Sequence, residues 1–199
     1  MTAPTHSSSS FSLALSDEDR RTLLVLARES ILRHLADERA ESAAGAHCFH
    51  AGPEESPVLE QPLGAFVTLR KNGQLRGCIG HLVGAGPLRE TVARMACAAA
   101  FEDTRFPPLT VEEWEGVSVE ISVLGPITLC EEPEAIRVGR HGLLVRQGGR
   151  SGLLLPQVPV EWGWDRETFL AQTCCKAGLS PEAWRNPGTE LFWFEAEVF

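Results

Sequence analysis

Between Ser16 and Glu38 the apolar positions recur with helical spacing. Leu24, Ala27, Ile31 and Leu35 share one face and charged residues fill the other. Ser16 and Asp19 match a reciprocal N-terminal cap, which predicts a helix from about Asp17 to Glu38. Residues 39–62 then run through Ala, Gly, Pro and Glu without a period, and a long connection with a short turn of helix is expected there. In "GAFVTLRKNGQLRGCIG" the period becomes two. Asn72-Gly73 between two apolar runs predicts a hairpin on a type I′ turn, because that turn needs φ > 0 at both positions. With those two residues as the loop, Arg76 would face Leu69 and Cys78 would face Val67, and Arg76 and Cys78 would share a face. A second helix is expected from Pro87, with Leu88, Val92, Met95 and Ala99 turned inward, ending before "FEDTRFPPL", since Pro107 and Pro108 cannot continue it. "GVSVEISVL" alternates Val117, Val119, Ile121 and Val123 with Ser118, Glu120 and Ser122, a half-buried strand. "HGLLVRQGGRSGLLLP" predicts a second hairpin turning at Gly148-Gly149. Asp165 is placed to cap a helix of about Arg166 to Ala177 with Phe169, Leu170 and Cys174 inward. "ELFWFEAEVF" predicts a last strand with Phe192, Phe194, Ala196 and Val198 on one side. Hairpins outnumber parallel crossovers, so the expected fold class is α+β with a mostly antiparallel sheet.

Bulk properties narrow the setting. The chain has 199 residues, 43% hydrophobic and 23% charged, which suits one domain or one domain with a small lobe. No apolar run approaches the roughly 18 residues of a membrane span. The start, "MTAPTHSSSSFSLALS", lacks the basic and apolar regions of a secretory signal and reads as a disordered Ser-rich tail over residues 1–14, leaving 15–199 as the folded domain. Six scattered cysteines in a chain of this size point to reduced thiols and a cytoplasmic protein. The net charge of −9 argues against a general nucleic-acid coat protein. Its distribution is uneven: residues 61–89 and 135–160 hold no acid and together carry +8, while the rest of the chain carries −17. Each acid-free segment contains one predicted hairpin. If the hairpins met, Arg76, Arg146 and their neighbours could bind one anionic ligand.

Cys78 admits two readings. An arginine on its strand face and amide nests at Gly77 and Gly80 would favour a thiolate and let a substrate approach the backbone, as in a covalent or redox site. Equally, a free cysteine over an apolar neighbour is ordinary core filling. His81 would point to the opposite face of a regular strand, and a bulge at Gly80 would be needed to bring it to Cys78. "HCFH" (His47, Cys48, His50) offers soft metal ligands, but no second ligand pair accompanies it, so no metal site is assigned. Glu102, Asp103 and Arg105 form either an acid–base group or a local ion pair that fixes a loop. Glu120 is a solvated strand residue or a pocket-wall carboxylate. Gln157 and Glu161 fall in a Pro- and Trp-rich loop that can wall a pocket. No phosphate loop and no nucleophilic-serine motif occurs.

"LRGCIG" at 75–80, "AFEDTRFPPLT" at 100–110, "SGLLLPQVPVEWGWD" at 151–165, "TCCKAGL" at 173–179 and the ending "FEAEVF" together resemble the AMMECR domain family, whose prokaryotic members are called AmmeMemoRadiSam system protein A. The resemblance implies a larger and a smaller lobe, related to the RAGNYA group of nucleotide-, nucleic-acid- and peptide-binding folds. It implies partners of two kinds, a Memo-type protein similar to extradiol dioxygenases and a radical SAM enzyme. It names no cofactor and no reaction; the family is regarded as an uncharacterised enzyme with a suggested part in modifying a nucleic-acid base. "LRGCIG" is its signature. The combined expectation is that Cys78 acts as nucleophile or thiol ligand, Arg76 stabilises its anion, and Glu102 or Glu120 moves protons. Gly77, Gly80, Arg105, Arg146, Gln157 and Glu161 would hold an anionic small molecule or nucleotide. The alternative is a binding module in which Cys78 is structural.

Overall fold

The computed structural model describes residues 13–39 and 56–199. The "HCFH" segment and almost all of the expected Ser-rich tail lie outside the described residues. The elements are α1 (Asp17–Arg39), β1 (Leu63–Lys71), β2 (Gln74–Val83), α2 (Leu88–Phe101), α3 (Val111–Trp114), β3 (Val117–Leu124), β4 (Thr128–Leu129), β5 (His141–Gln147), β6 (Arg150–Leu154), α4 (Gln157–Glu161), α5 (Arg166–Lys176) and β7 (Glu190–Val198). Every strand pairing is antiparallel. No described helix is long and apolar enough to cross a membrane.

Two compact units result. Leu15–Leu124 joins Ala196–Phe199 in one, and Gly125–Glu195 forms the other together with Leu13 and Ala14. The division runs through β7, whose last residues pair with β3 while its earlier residues pair with β4 and β5.

In the larger unit α1 begins as expected. The Ser16 backbone N–H donates to Asp19 Oδ2 at 2.8 Å, and the Asp19 N–H donates back to Ser16 Oγ at 3.1 Å. Its buried face is Leu23, Ala27, Ile31 and Leu35, with Leu24 only half-buried. α1 packs on α2, and α2 packs on β1 and β2. The helices thereby seal one face of β1 and β3, where Ala65, Val67, Leu69, Ile121 and Val123 are fully buried. Gly77 lies on that sealed face, and a Cβ there would collide with the Ala99 carbonyl oxygen of α2. Its role is close strand–helix packing rather than substrate approach. Gly77→Ala is expected to push β2 off α2 and to cost roughly 1–3 kcal/mol, measurable by urea denaturation.

The β1–β2 turn has the expected left-handed pair, Asn72 at φ 52° and Gly73 at φ 78°. The register beyond it differs from expectation. Arg70 pairs with Leu75 but Leu69 pairs with Gly77, so Arg76 is the extra residue of a β-bulge. Cys78 therefore faces Thr68, not Val67.

In the smaller unit the second hairpin turns at Gly148 (φ 53°) and Gly149 (φ 80°). α5, capped by Asp165 accepting from the Thr168 N–H at 2.8 Å, packs on β5 and β6. Its core gathers Leu143, Val145, Phe169, Leu170, Cys174 and Leu191, with Trp164, Trp184 and Trp193 packed against them. β7 is covered on both faces, since Leu191 and Phe194 are both buried, and the expected one-sided alternation does not occur. α4 replaces the loop expected around Gln157 and Glu161.

Candidate functional site

The unsealed face of β1–β3 carries Cys78 and its neighbours. Directly paired residues of antiparallel strands project on the same side. Cys78 pairs with Thr68 and Thr68 with Glu120, so these three form one row across β2, β1 and β3. The Thr68 hydroxyl donates to Cys78 Sγ at 3.2 Å. Glu120 lies 3.8 Å from the Arg70 guanidinium, the next residue of β1 on this face. Gly80 also belongs here: a Cβ would run into the ring of Phe66, so the glycine makes room for that ring. His81 is exposed at a regular position of β2 opposite Ala65, on the other face from Cys78.

Within the described residues β2 pairs only with β1, so its outer edge offers unpaired peptide groups. At Cys78 those groups are capped. Its N–H donates to Asp103 Oδ2 at 2.9 Å, and its carbonyl accepts from Arg105 Nη2 at 3.2 Å. Asp103 and Arg105 are themselves locked together, Nε to Oδ1 at 2.9 Å and Nη2 to Oδ2 at 2.6 Å. Asp103 is 6% exposed, whereas the Arg105 side chain is 54% exposed. The Arg105 hydrogen bonds, together with the Cys78 and Arg105 backbone N–H groups, hold the Asp103 carboxyl far below the usual carboxylate range against the opposing effect of burial. The cation beside Cys78 is therefore Arg105.

Arg76 is engaged elsewhere. Bulged out of register and 7% exposed, it grips Glu113 with two parallel bonds, Nε to Oε1 at 3.2 Å and Nη2 to Oε2 at 2.9 Å, and Nη2 also donates to the Pro107 carbonyl at 2.9 Å. Its Nη1 is buried without a partner. The arginine hydrogen bonds are the main reason that the Glu113 pKa falls to about 2. Glu113 in turn closes a capping box with Thr110 that starts α3. Sequence reading passed over both Thr68 and Glu113. The signal for Glu113 was present as Thr110-x-x-Glu113, a capping-box spacing.

The acid-free segments behave differently from each other. Every cation of 61–89 meets a carboxylate from outside it: Arg70 with Glu120, Lys71 and Arg76 with Glu113, and Arg89 with Glu60. In 135–160, Arg140 is paired with Glu195, but Arg146 lies over the Phe192 ring and Arg150 donates to the Gly178 carbonyl. The two hairpins belong to different units. Glu102 is exposed just past the end of α2, Glu161 is exposed at the end of α4, and Gln157 is half-buried with its Oε1 unpartnered. None of these three belongs to the Cys78 row.

The other described cysteines contrast with Cys78. Burial pushes the Cys130 thiol up to about 11 and also raises Cys174, and burial with the Glu102 charge raises Cys97. Cys175 is exposed on α5. Among the described residues no three His, Cys, Asp or Glu side chains gather as metal ligands do.

This α+β fold of antiparallel strands backed by helices is one that has been solved before. The crystal structure of uncharacterized protein PH0010 from Pyrococcus horikoshii matches with a TM-score of 0.80 at 42% identity, covering 92% of each chain. Protein TK0174 of Thermococcus kodakarensis is 44% identical over 196 residues, spanning 93% of this chain and 91% of its own. A protein of Methanothermobacter thermautotrophicus is 43% identical over 192 residues, spanning 93% and 95%. The AMMECR1 family profile matches residues 24–199, and the chain belongs to that family.

Proposed function

We propose that Cys78 is the reactive group of an enzyme site on the open face of β1–β3, acting on an anionic substrate. One observation carries the reading. Cys78 is half-buried on the face the helices leave free, its sulfur accepts from Thr68, and both its peptide groups are clamped by Asp103 and Arg105. A strand thiol that only filled space would need no such fixing. In use, the thiol gives up its proton to solvent on the open face, with Glu120 of the same row as the nearby carboxylate acceptor. The thiolate, accepting from the Thr68 O–H, then adds to one end of an activated double bond of the substrate, whose π electron pair moves to the other end and takes up the proton. The exposed Arg105 guanidinium supplies the neighbouring positive charge for the substrate's anionic group. Nucleotide or nucleic acid is the substrate class suggested by the resemblance. The Memo-type and radical SAM partners belong to the same proposal and rest on the resemblance alone.

Alkylation of each cysteine in the native protein, followed by mass spectrometry across pH, tests this. Cys78 is expected to react well ahead of Cys97, Cys130 and Cys174. Thr68→Val is expected to slow the Cys78 reaction at neutral pH, because a donor to the thiolate is gone. Protection of Cys78 until the protein unfolds would make it core, and the binding-module reading would replace this one.

A further inference from the structure

We propose that the substrate of the Cys78 site carries a planar conjugated ring, and that the Phe66 ring is the platform on which it stacks. This rests on the reading of Cys78 as the reactive group and adds to it a substrate class and a specificity-determining residue.

Phe66 is the one aromatic side chain that β1, β2 and β3 turn to the open face, two residues before Thr68 on β1. It pairs directly with Gly80. Cys78 therefore lies on the diagonal from it, about 7–8 Å away, a separation that an aromatic side chain spans. A Cβ at Gly80 would run into the Ala65 carbonyl oxygen and into Cγ and Cδ1 of Phe66, the base of the ring. The strand thus has no side chain at Gly80, and the Phe66 ring crosses from β1 over the bare β2 backbone beside the thiol. Phe66 stays half-buried there, whereas Ala65, Val67 and Leu69 on the other side of the same strand are fully buried. An aliphatic side chain would cover Gly80 equally well; what the aromatic ring adds is a flat π-face. A conjugated ring lying on that face extends over Cys78, so the sulfur meets it from beneath its plane. Conjugate addition requires that approach: the sulfur bonds to one carbon of the activated double bond, the π pair moves to the far end, and a proton is taken up there. At the strand edge Arg105, bonded to the Cys78 carbonyl, stands on the other side of the thiol for an anionic substituent of the same ring.

The test is protection of Cys78 from iodoacetamide in the full chain, followed by mass spectrometry, with the exposed Cys175 as internal reference. The probes are 2-naphthoate, a planar conjugated anion that does not alkylate, and its fully saturated analogue, a puckered anion of the same skeleton and greater hydrophobicity. Saturable protection by 2-naphthoate is expected at about tenfold lower concentration than by the saturated anion, with Cys175 unaffected by either. Phe66→Leu should raise the half-protecting concentration of 2-naphthoate about tenfold, and Phe66→Tyr should leave it as it is. Both variants should be labelled by iodoacetamide alone at the parent rate, which separates loss of the platform from loss of the fold. Equal protection by the two anions, or undiminished protection in Phe66→Leu, would overturn the platform and leave the Cys78 reading standing. A Cys78 that iodoacetamide does not reach in the folded protein would overturn that reading and the platform with it.

Discussion

Arg76→Ala is expected to remove about 3 kcal/mol of stability, read as a lowered urea midpoint at neutral pH. The guanidinium is 7% exposed and anchors Glu113 and the Pro107 carbonyl at once. Its removal leaves Glu113 charged with only Lys71 at 3.5 Å and the Thr110 N–H at 3.4 Å, orphans a carbonyl and opens a cavity beside the β-bulge. Arg76→Lys should rescue little, because an ammonium cannot make the two parallel bonds to Glu113. The acid limb provides an independent readout. Glu113 ordinarily titrates near 4.5 and is held at about 2 in the folded protein. A lowered folded pKa contributes stability that is complete above the unfolded value and lost as pH falls from about 4.5 towards 2. In Arg76→Ala that pH dependence should flatten. A loss under 1 kcal/mol at neutral pH would show that the buried pair contributes nothing net over its desolvation.

Asp103→Ala should have the second large effect, about 2–3 kcal/mol, with a local signature at Cys78. The carboxylate is almost fully buried, accepts the Cys78 N–H and orients Arg105. Without it the Cys78 amide has no acceptor and Arg105 keeps only its bond to the Cys78 carbonyl. Hydrogen exchange at the Cys78 amide should accelerate by more than the global stability loss explains. Uniform acceleration across β1–β3 would instead mean that Asp103 supports the whole sheet and has no special hold on the cysteine.

Local chemistry was legible where it governs local geometry. The Ser16–Asp19 cap, the Asn72-Gly73 turn and the Asp165 cap all depend on residues a few positions apart, and each forms as the sequence implies. The arrangement around Cys78 was not legible, because its determinants are distant in the chain. Nothing in "QLRGCIG" announces that Arg76 is an extra residue; the bulge accompanies its bonds to Glu113 and Pro107 on a segment beyond α2. Gly77 is required by the approach of Ala99, and the clamp on Cys78 comes from a loop past the end of that same helix. Charge patterning misled for a similar reason, since the acid-free run at 61–89 is neutralised in space by Glu60, Glu113 and Glu120. Short elements escaped too: α3 and α4 span about a turn each, too little for a period to show.

The division of β7 between the units bears on the order in which the protein can be completed during synthesis. α1, β1, β2, α2 and β3 leave the ribosome early and can collapse together, but the Ser122–Leu124 edge of β3 waits for Ala196–Val198. Everything from Gly125 to Glu195 must be made in between. The nascent larger unit thus carries an open strand edge throughout translation of the smaller one, a period when intermolecular strand pairing competes with folding.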